Sequence, residues 1–340
     1  MNRPNRFFLL ILLSVGLSGL LQRATAQKIS ASVEKELSKK EDSLTDFSKK
    51  MVFSENPAER FRNDSMFVKT LVRSLQQPNS FYYPFDSINI SKLYSPDSSF
   101  RIFTWQLKKD EYVLLQKGAI QMNTKDGALK LFRLQDVSMF TKNPMDSVRD
   151  NLHWIGAIYY KIIQKQHAGK NYYTMIGFDD FSVNSNKKWI EVLSFDNNGQ
   201  PVFGGPFFSY KDDTGINKKP IQPRFSIEYK KEAKSYVNFD PELDLLIVDH
   251  LVSETDEPEK KFTYVPDGDY EAFRWQNGQW VHVNKLFDQA LKDGDFPKEA
   301  LLYDDNGNPN SKALEDATKK NLEKKNPPKK PTTPPKKKDN

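Results

Sequence analysis

Asp249 and His250 stand side by side in the stretch IVDHL, and with Glu228 in RFSIEYK they are the residues whose types come nearest to acid–base chemistry. A histidine beside a carboxylate can move a proton near neutral pH. Both stretches, however, read as strands, and neighbouring side chains on a strand point to opposite faces. Asp249 and His250 are therefore not expected to cooperate, and a hydrogen-bonded structural role is the simpler expectation for His250. The remaining histidines, His153, His167 and His282, have no second histidine or carboxylate at a helical metal-ligand spacing such as HExxH.

Other chemistries lack their grammar. No G-x-S-x-G elbow, P-loop or dinucleotide glycine fingerprint occurs. The chain has no cysteine, which removes disulfides, thiolate zinc sites, iron–sulfur clusters and cysteine nucleophiles. Asp196 to Gly199 and Asp304 to Gly307 faintly resemble calcium loops but lack the remaining ligands, so turn chemistry explains them better. No cofactor and no metal site is expected. Carboxylates are plentiful, among them Asp179, Asp180, Glu191, Glu228 and Asp249. A glycosidase needs only two of these about 5–10 Å apart, and exposed aromatic residues could stack on sugar rings. A glycan-binding module or carbohydrate-active enzyme is accordingly the alternative to a non-enzymatic binding or scaffold protein.

The elements that must position these residues begin with an address label. Arg3 and Arg6 precede an apolar run from Phe7 to Leu21, and Ala24-Thr25-Ala26 supplies small residues for cleavage. This pattern predicts a secretory signal peptide over residues 1–26, because a run of about 15 residues is short of the roughly 20 that span a bilayer. The mature chain is expected to be exported to the periplasm or beyond, with no transmembrane span. The net charge of +6 is unevenly placed: Lys319 to Asn340 holds nine lysines against Glu323 and Asp339, and three arginines lie in the leader. Gln27 to Thr318 is consequently acidic, which removes the electrostatic footprint of a nucleic-acid binder. The tail from 319 to 340, rich in lysine and proline, is expected to be disordered, and it could contact anionic envelope surfaces.

Residues 27–80 read as a helical lead-in. Val33, Leu37, Leu44, Phe47 and Met51 form a loose apolar stripe among charges, as on an exposed amphipathic helix. In a second helix Asn56 is placed to cap, Pro57 takes the first position, Glu59 completes a capping box, and Pro78 ends it. From Phe81 to Asp288 short aromatic and β-branched runs alternate with turn residues, notably Asn277-Gly278 in WQNGQW. This predicts a large antiparallel β domain, a sheet, sandwich or barrel, with an irregular propeller as the alternative. SPDSSFRIFTW and VPDGDYEAFRW each look like a Pro-Asp turn entering an aromatic strand, which invites the propeller. Blades recur about every 40–50 residues, and these two copies do not. Phe103 with Trp105 and Phe273 with Trp275 are expected in the core. Residues 289–318 read as a polar, short helical segment.

The succession YYPFDSINISKLYSPDSSFRIFTWQL, YYTMIGFDD, KKWIEVLSFDNNGQPVFG and VPDGDYEAFRWQNGQW resembles a set of uncharacterised exported proteins of Bacteroidota-type bacteria. The resemblance implies export and no activity. Four tripeptides, beginning at Asp42, Asp64, Asp86 and Asp146, look like the Asp-Ser-hydrophobic acceptor pattern of O-glycosylation in such bacteria.

Overall fold

The computed structural model describes residues 29–210 and 219–283. The expected signal peptide, the polar segment 289–318 and the tail 319–340 lie outside these residues. Two helices lead the described chain, α1 (Ala31–Phe53) and α2 (Pro57–Leu75). Asn56 caps α2 as expected, its Oδ1 accepting from the backbone N–H of Ala58 at 2.9 Å. The capping box does not close directly. Ser54 Oγ accepts from the Asn56 N–H and donates to Glu59, so a hydroxyl relays the bond that Glu59 would otherwise make.

Fifteen strands follow among the described residues. β1 (Ser91–Tyr94), β2 (Phe100–Lys108), β3 (Leu114–Met122) and β4 (Lys130–Gln135) form an antiparallel meander. β5 (Arg149–Asp150), β6 (Ile158–His167), β7 (Lys170–Asp179), β8 (Ser185–Phe195) and β9 (Pro201–Phe203) make a second sheet in the order β5-β9-β8-β7-β6. β11 (Arg224–Lys230) joins it by pairing with the first half of β8, from Ser185 to Glu191, while β9 takes the second half. The third sheet runs β10-β15-β14-β13-β12, from β10 (Phe208–Ser209), β12 (Val237–Asp240), β13 (Leu245–Ser253), β14 (Tyr264–Gln276) and β15 (Gln279–Val283). All pairings between these strands are antiparallel except the two-residue contact of β10 with β15. This is the mainly antiparallel β fold that the strand pattern predicts, built as stacked sheets and not as radial blades.

Three hydrophobic clusters order the layers. Leu37, Leu44 and Met51 of α1 and Phe67, Leu71 and Leu75 of α2 pack on Phe103, Trp105 and Leu107 of β2. Phe100 and Ile102, on the opposite face of the same strand, pack with Ile120 against Tyr173, Met175, Trp189 and Leu193 of the second sheet. Ile176, Ile190 and Val192, on its far face, meet Leu246, Val248, Phe273 and Trp280 of the third sheet. The result is helices, then three sheets in succession. β2, β7 and β8 are buried on both faces, which is why FRIFTWQL and KWIEVLSF lack a clean polar alternation. The helical lead-in is one layer of this stack: α1, read as an exposed amphipathic helix, buries Leu37, Leu44 and Met51 of its stripe, with Val33 and Phe47 partly buried.

The two Pro-Asp copies do different jobs. Pro96 and Asp97 sit in the hairpin between β1 and β2, where the Ser95 N–H donates to the Phe100 carbonyl at 2.9 Å. Pro266 to Gly268, read as a turn, lie inside β14 as a bulge: Asp249 pairs with Tyr270 and Leu251 with Pro266, so one residue of β13 faces three of β14. Gly268 takes φ 95° there. Phe103 and Phe273 are fully buried, Trp105 nearly so, and Trp275 is half-buried against the third cluster. The Asn277-Gly278 turn, with φ 49° and 81°, joins β14 to β15 as expected. Asp196 Oδ1 accepts from the N–H groups of Asn198 and Gln200, so that loop is a turn.

Candidate functional site

The structure separates the three residues proposed for chemistry. His250 stands opposite the bulge of β14, and its Nδ1 lies 2.7 Å from Asp267 Oδ2, not beside Asp249. Asp249 is buried and accepts the Tyr236 backbone N–H. Glu228 lies on β11 in the second sheet, with Ser185 donating to it at 2.7 Å and Lys187 at 3.2 Å. Each is committed to a local structural bond, and no bond among the described residues joins any two of them. Glu191 is sealed in the second cluster, accepting from Tyr159 and from Arg224, with the Trp154 indole donating onward to Tyr159 at 2.8 Å. Burial pushes its carboxyl up, and the Arg224 charge opposes that rise.

A groove of about 750 Å³ opens elsewhere, between α2 and the helix-facing side of β3 and β4. Its origin is the mismatch between layers: α1 and α2 pack on β2, and β3 and β4 extend beyond them. Phe61, Val68 and Val72 of α2 form one wall. Leu115 and Ala119 of β3 and Leu131 of β4 form the floor, and Met139 and Phe140 follow as a rim. Phe140 is 87% exposed and Met139 63%. Contiguous exposed apolar surface of this kind marks an interaction site more often than chance, and the volume lies in the range of small-molecule sites.

One end of the groove is polar. β4 pairs with β3 only from Lys117 to Met122, so Leu114 to Gln116 have no strand partner on that side among the described residues. The groove wraps round this end and reaches Gln116 and Asp136, whose side chains belong to the interface with the second sheet. Gln116 is 4% exposed. Its Nε2 donates to Gln106 Oε1 at 2.9 Å and to Asp179 Oδ1 at 2.8 Å. Gly156 makes the close approach possible, because a Cβ there would lie 2.1 Å from Gln116 Cβ and 2.8 Å from Asp136 Cγ. Asp136 Oδ1 accepts from the Ser138 and Gly156 N–H groups.

Asp179 carries the strongest electrostatic signature here, with its carboxyl pushed up to about 6. Burial is the main cause; the Gln116 bond opposes it, and the Asp136 charge adds to it. The Trp189 indole N–H lies near enough to favour the ionised form, yet makes no hydrogen bond of ordinary geometry. Cations line the rest of the groove. Lys117 is held by Asp64, while Lys109 and Arg133 make no ion pair among the described residues.

Sequence reasoning did not single out Gln116 or Asp136, and noted Asp179 only as one carboxylate among many. The one available signal was a polar residue inside the apolar run YVLLQKGAI. No group of three or more histidines and carboxylates able to hold a metal gathers among the described residues. Comparison of the chain with protein-family models, curated proteins and solved structures gave no match.

Proposed function

We propose that the chain is an exported, non-enzymatic binding protein whose groove beside α2 holds an elongated apolar ligand. The observation that carries this reading is the open apolar channel between α2 and the β3–β4 floor, with Phe140 and Met139 exposed along its rim. Export rests on the leader pattern at Arg3 to Ala26. Burying an apolar chain contributes about 0.8 kcal/mol per methylene, so a channel of this size supplies useful affinity without any covalent step. Titration of the protein with diphenylhexatriene, a headless apolar fluorophore, tests it: saturable binding is expected, and Val72→Glu, which sets a charge in the wall, is expected to weaken it at least tenfold. Unsaturable binding, or no effect of the substitution, would refute the reading.

The carbohydrate-active alternative has one observation in its favour, the raised Asp179 carboxyl close to Asp136. It ranks second because Asp179 is 7% exposed behind Gln116. Four of the five tryptophans are buried and the fifth packs on the third cluster, which leaves no tryptophan platform for a sugar.

A further inference from the structure

We propose that the ligand of this groove carries a hydrogen-bond-donating head, best a primary ammonium, that docks on Gln116 Oε1 and Asp136 Oδ2. The inference rests on the apolar-ligand reading and names the chemistry of its polar end. The Gln116 amide is oriented by its neighbours. Its nitrogen sits between two acceptors, Gln106 Oε1 and Asp179 Oδ1, so the NH2 group must face them. That leaves Oε1 buried with no partner among the described residues. A buried acceptor without a donor is costly, on the order of 1–3 kcal/mol, and native proteins rarely leave one unexplained.

The second acceptor points to the same chemistry. Both bonds to the Asp136 carboxylate are made through Oδ1, and Oδ2 accepts none among the described residues. Gln116 and Asp136 line the same end of the groove, and Gly156 keeps them close. Both Gln116 N–H groups are used, so Gln116 offers a ligand only an acceptor, while Lys109 and Arg133 also line the groove and make no ion pair among the described residues. A head that only accepts hydrogen bonds would leave Gln116 Oε1 and Asp136 Oδ2 without a donor. A head that donates satisfies both oxygens, and a positive charge on it is favoured by Asp136 with Asp179 behind it. The apolar tail then runs along Leu115 and Leu131 beneath α2.

The experiment compares dodecylamine, dodecanol and dodecanoate, each below its micelle threshold, as competitors of diphenylhexatriene at neutral pH. The amine is expected to displace the fluorophore at about tenfold lower concentration than the carboxylate, with the alcohol between them. Gln116→Met, which removes the acceptor at similar volume, and Asp136→Asn, which removes the charge, are each expected to narrow the gap while diphenylhexatriene still binds. Thermal melting of both variants shows that the fold persists. A carboxylate that competes as well as the amine, or an order unchanged in both variants, overturns the inference and leaves the groove reading standing. Failure of diphenylhexatriene to bind the wild-type protein overturns both.

Discussion

Gln116 Nε2 donates to Asp179 Oδ1 at 2.8 Å, joining the end of the groove in the first sheet to a buried carboxyl in the second. This one bond ties together the two layers between which the polar end of the site lies. It is also the largest effect opposing the rise of the Asp179 carboxyl, whose main cause is burial.

The raised carboxyl gives a signed prediction. Its pKa goes from 3.8 to about 6 on folding, so Asp179 costs nothing below the unfolded value and destabilises the fold as pH rises through about 6. Asp179→Asn keeps an acceptor for Gln116 and removes that cost. Urea denaturation should show the variant more stable than wild type at pH 7.5 by on the order of 1–3 kcal/mol, with the gain gone near pH 4. Equal destabilisation at both pH values would contradict the account.

Gly156 tests the packing behind the site. The methyl of Gly156→Ala would overlap Gln116 Cβ, an atom near the backbone that cannot swing away. Overpacking of this kind costs about 1–3 kcal/mol. A lowered melting temperature, together with weaker diphenylhexatriene binding, is expected from calorimetry and titration of the same variant.

The strands were legible because aromatic and β-branched runs are bounded by turn residues: RFSIEYK and QWVHV match β11 and β15 residue for residue. The order of the sheets was not legible, because strands buried on both faces lose the alternation that names a partner. Pro266-Asp267-Gly268 carries the composition of a turn, and only the pairing of β13 with β14 makes it a bulge. The site was missed for a related reason. Gln116 acquires its meaning from Gln106, Asp179 and Gly156, which lie up to 63 positions away, and no local spacing encodes that meeting.

Arg101 should prove indispensable to the fold. Its guanidinium is buried with no carboxylate partner among the described residues, donating to the Ser80 carbonyl, Gln121 Oε1 and Tyr94 Oη at 2.8 Å each, and it lies 4.8 Å from the Phe103 ring centroid. Burial lowers its pKa to about 10, and it remains a cation. Arg101→Met strands these acceptors and is expected to cost on the order of 3–5 kcal/mol in urea denaturation. Arg101→Lys should recover little, because one ammonium cannot reach them all.

For the sequence's own candidates the expectation is structural. His250→Ala removes only the partly exposed bond to Asp267 and should change stability by less than about 1 kcal/mol. Asp249→Ala strands the Tyr236 N–H and should cost about 1–3 kcal/mol. Neither should alter probe binding, so a large change in affinity from His250→Ala, read by titration, would count against the placement of the site.

Photolabelling tests the central claim most directly. A dodecyl amine bearing a terminal diazirine, activated in the presence of the intact protein and mapped by peptide mass spectrometry, reports where the apolar tail lies. Labels on α2, on β3 and β4, and on the rim at Met139 and Phe140 are the predicted result. Labels concentrated on the third sheet, or spread evenly over the chain, would contradict it.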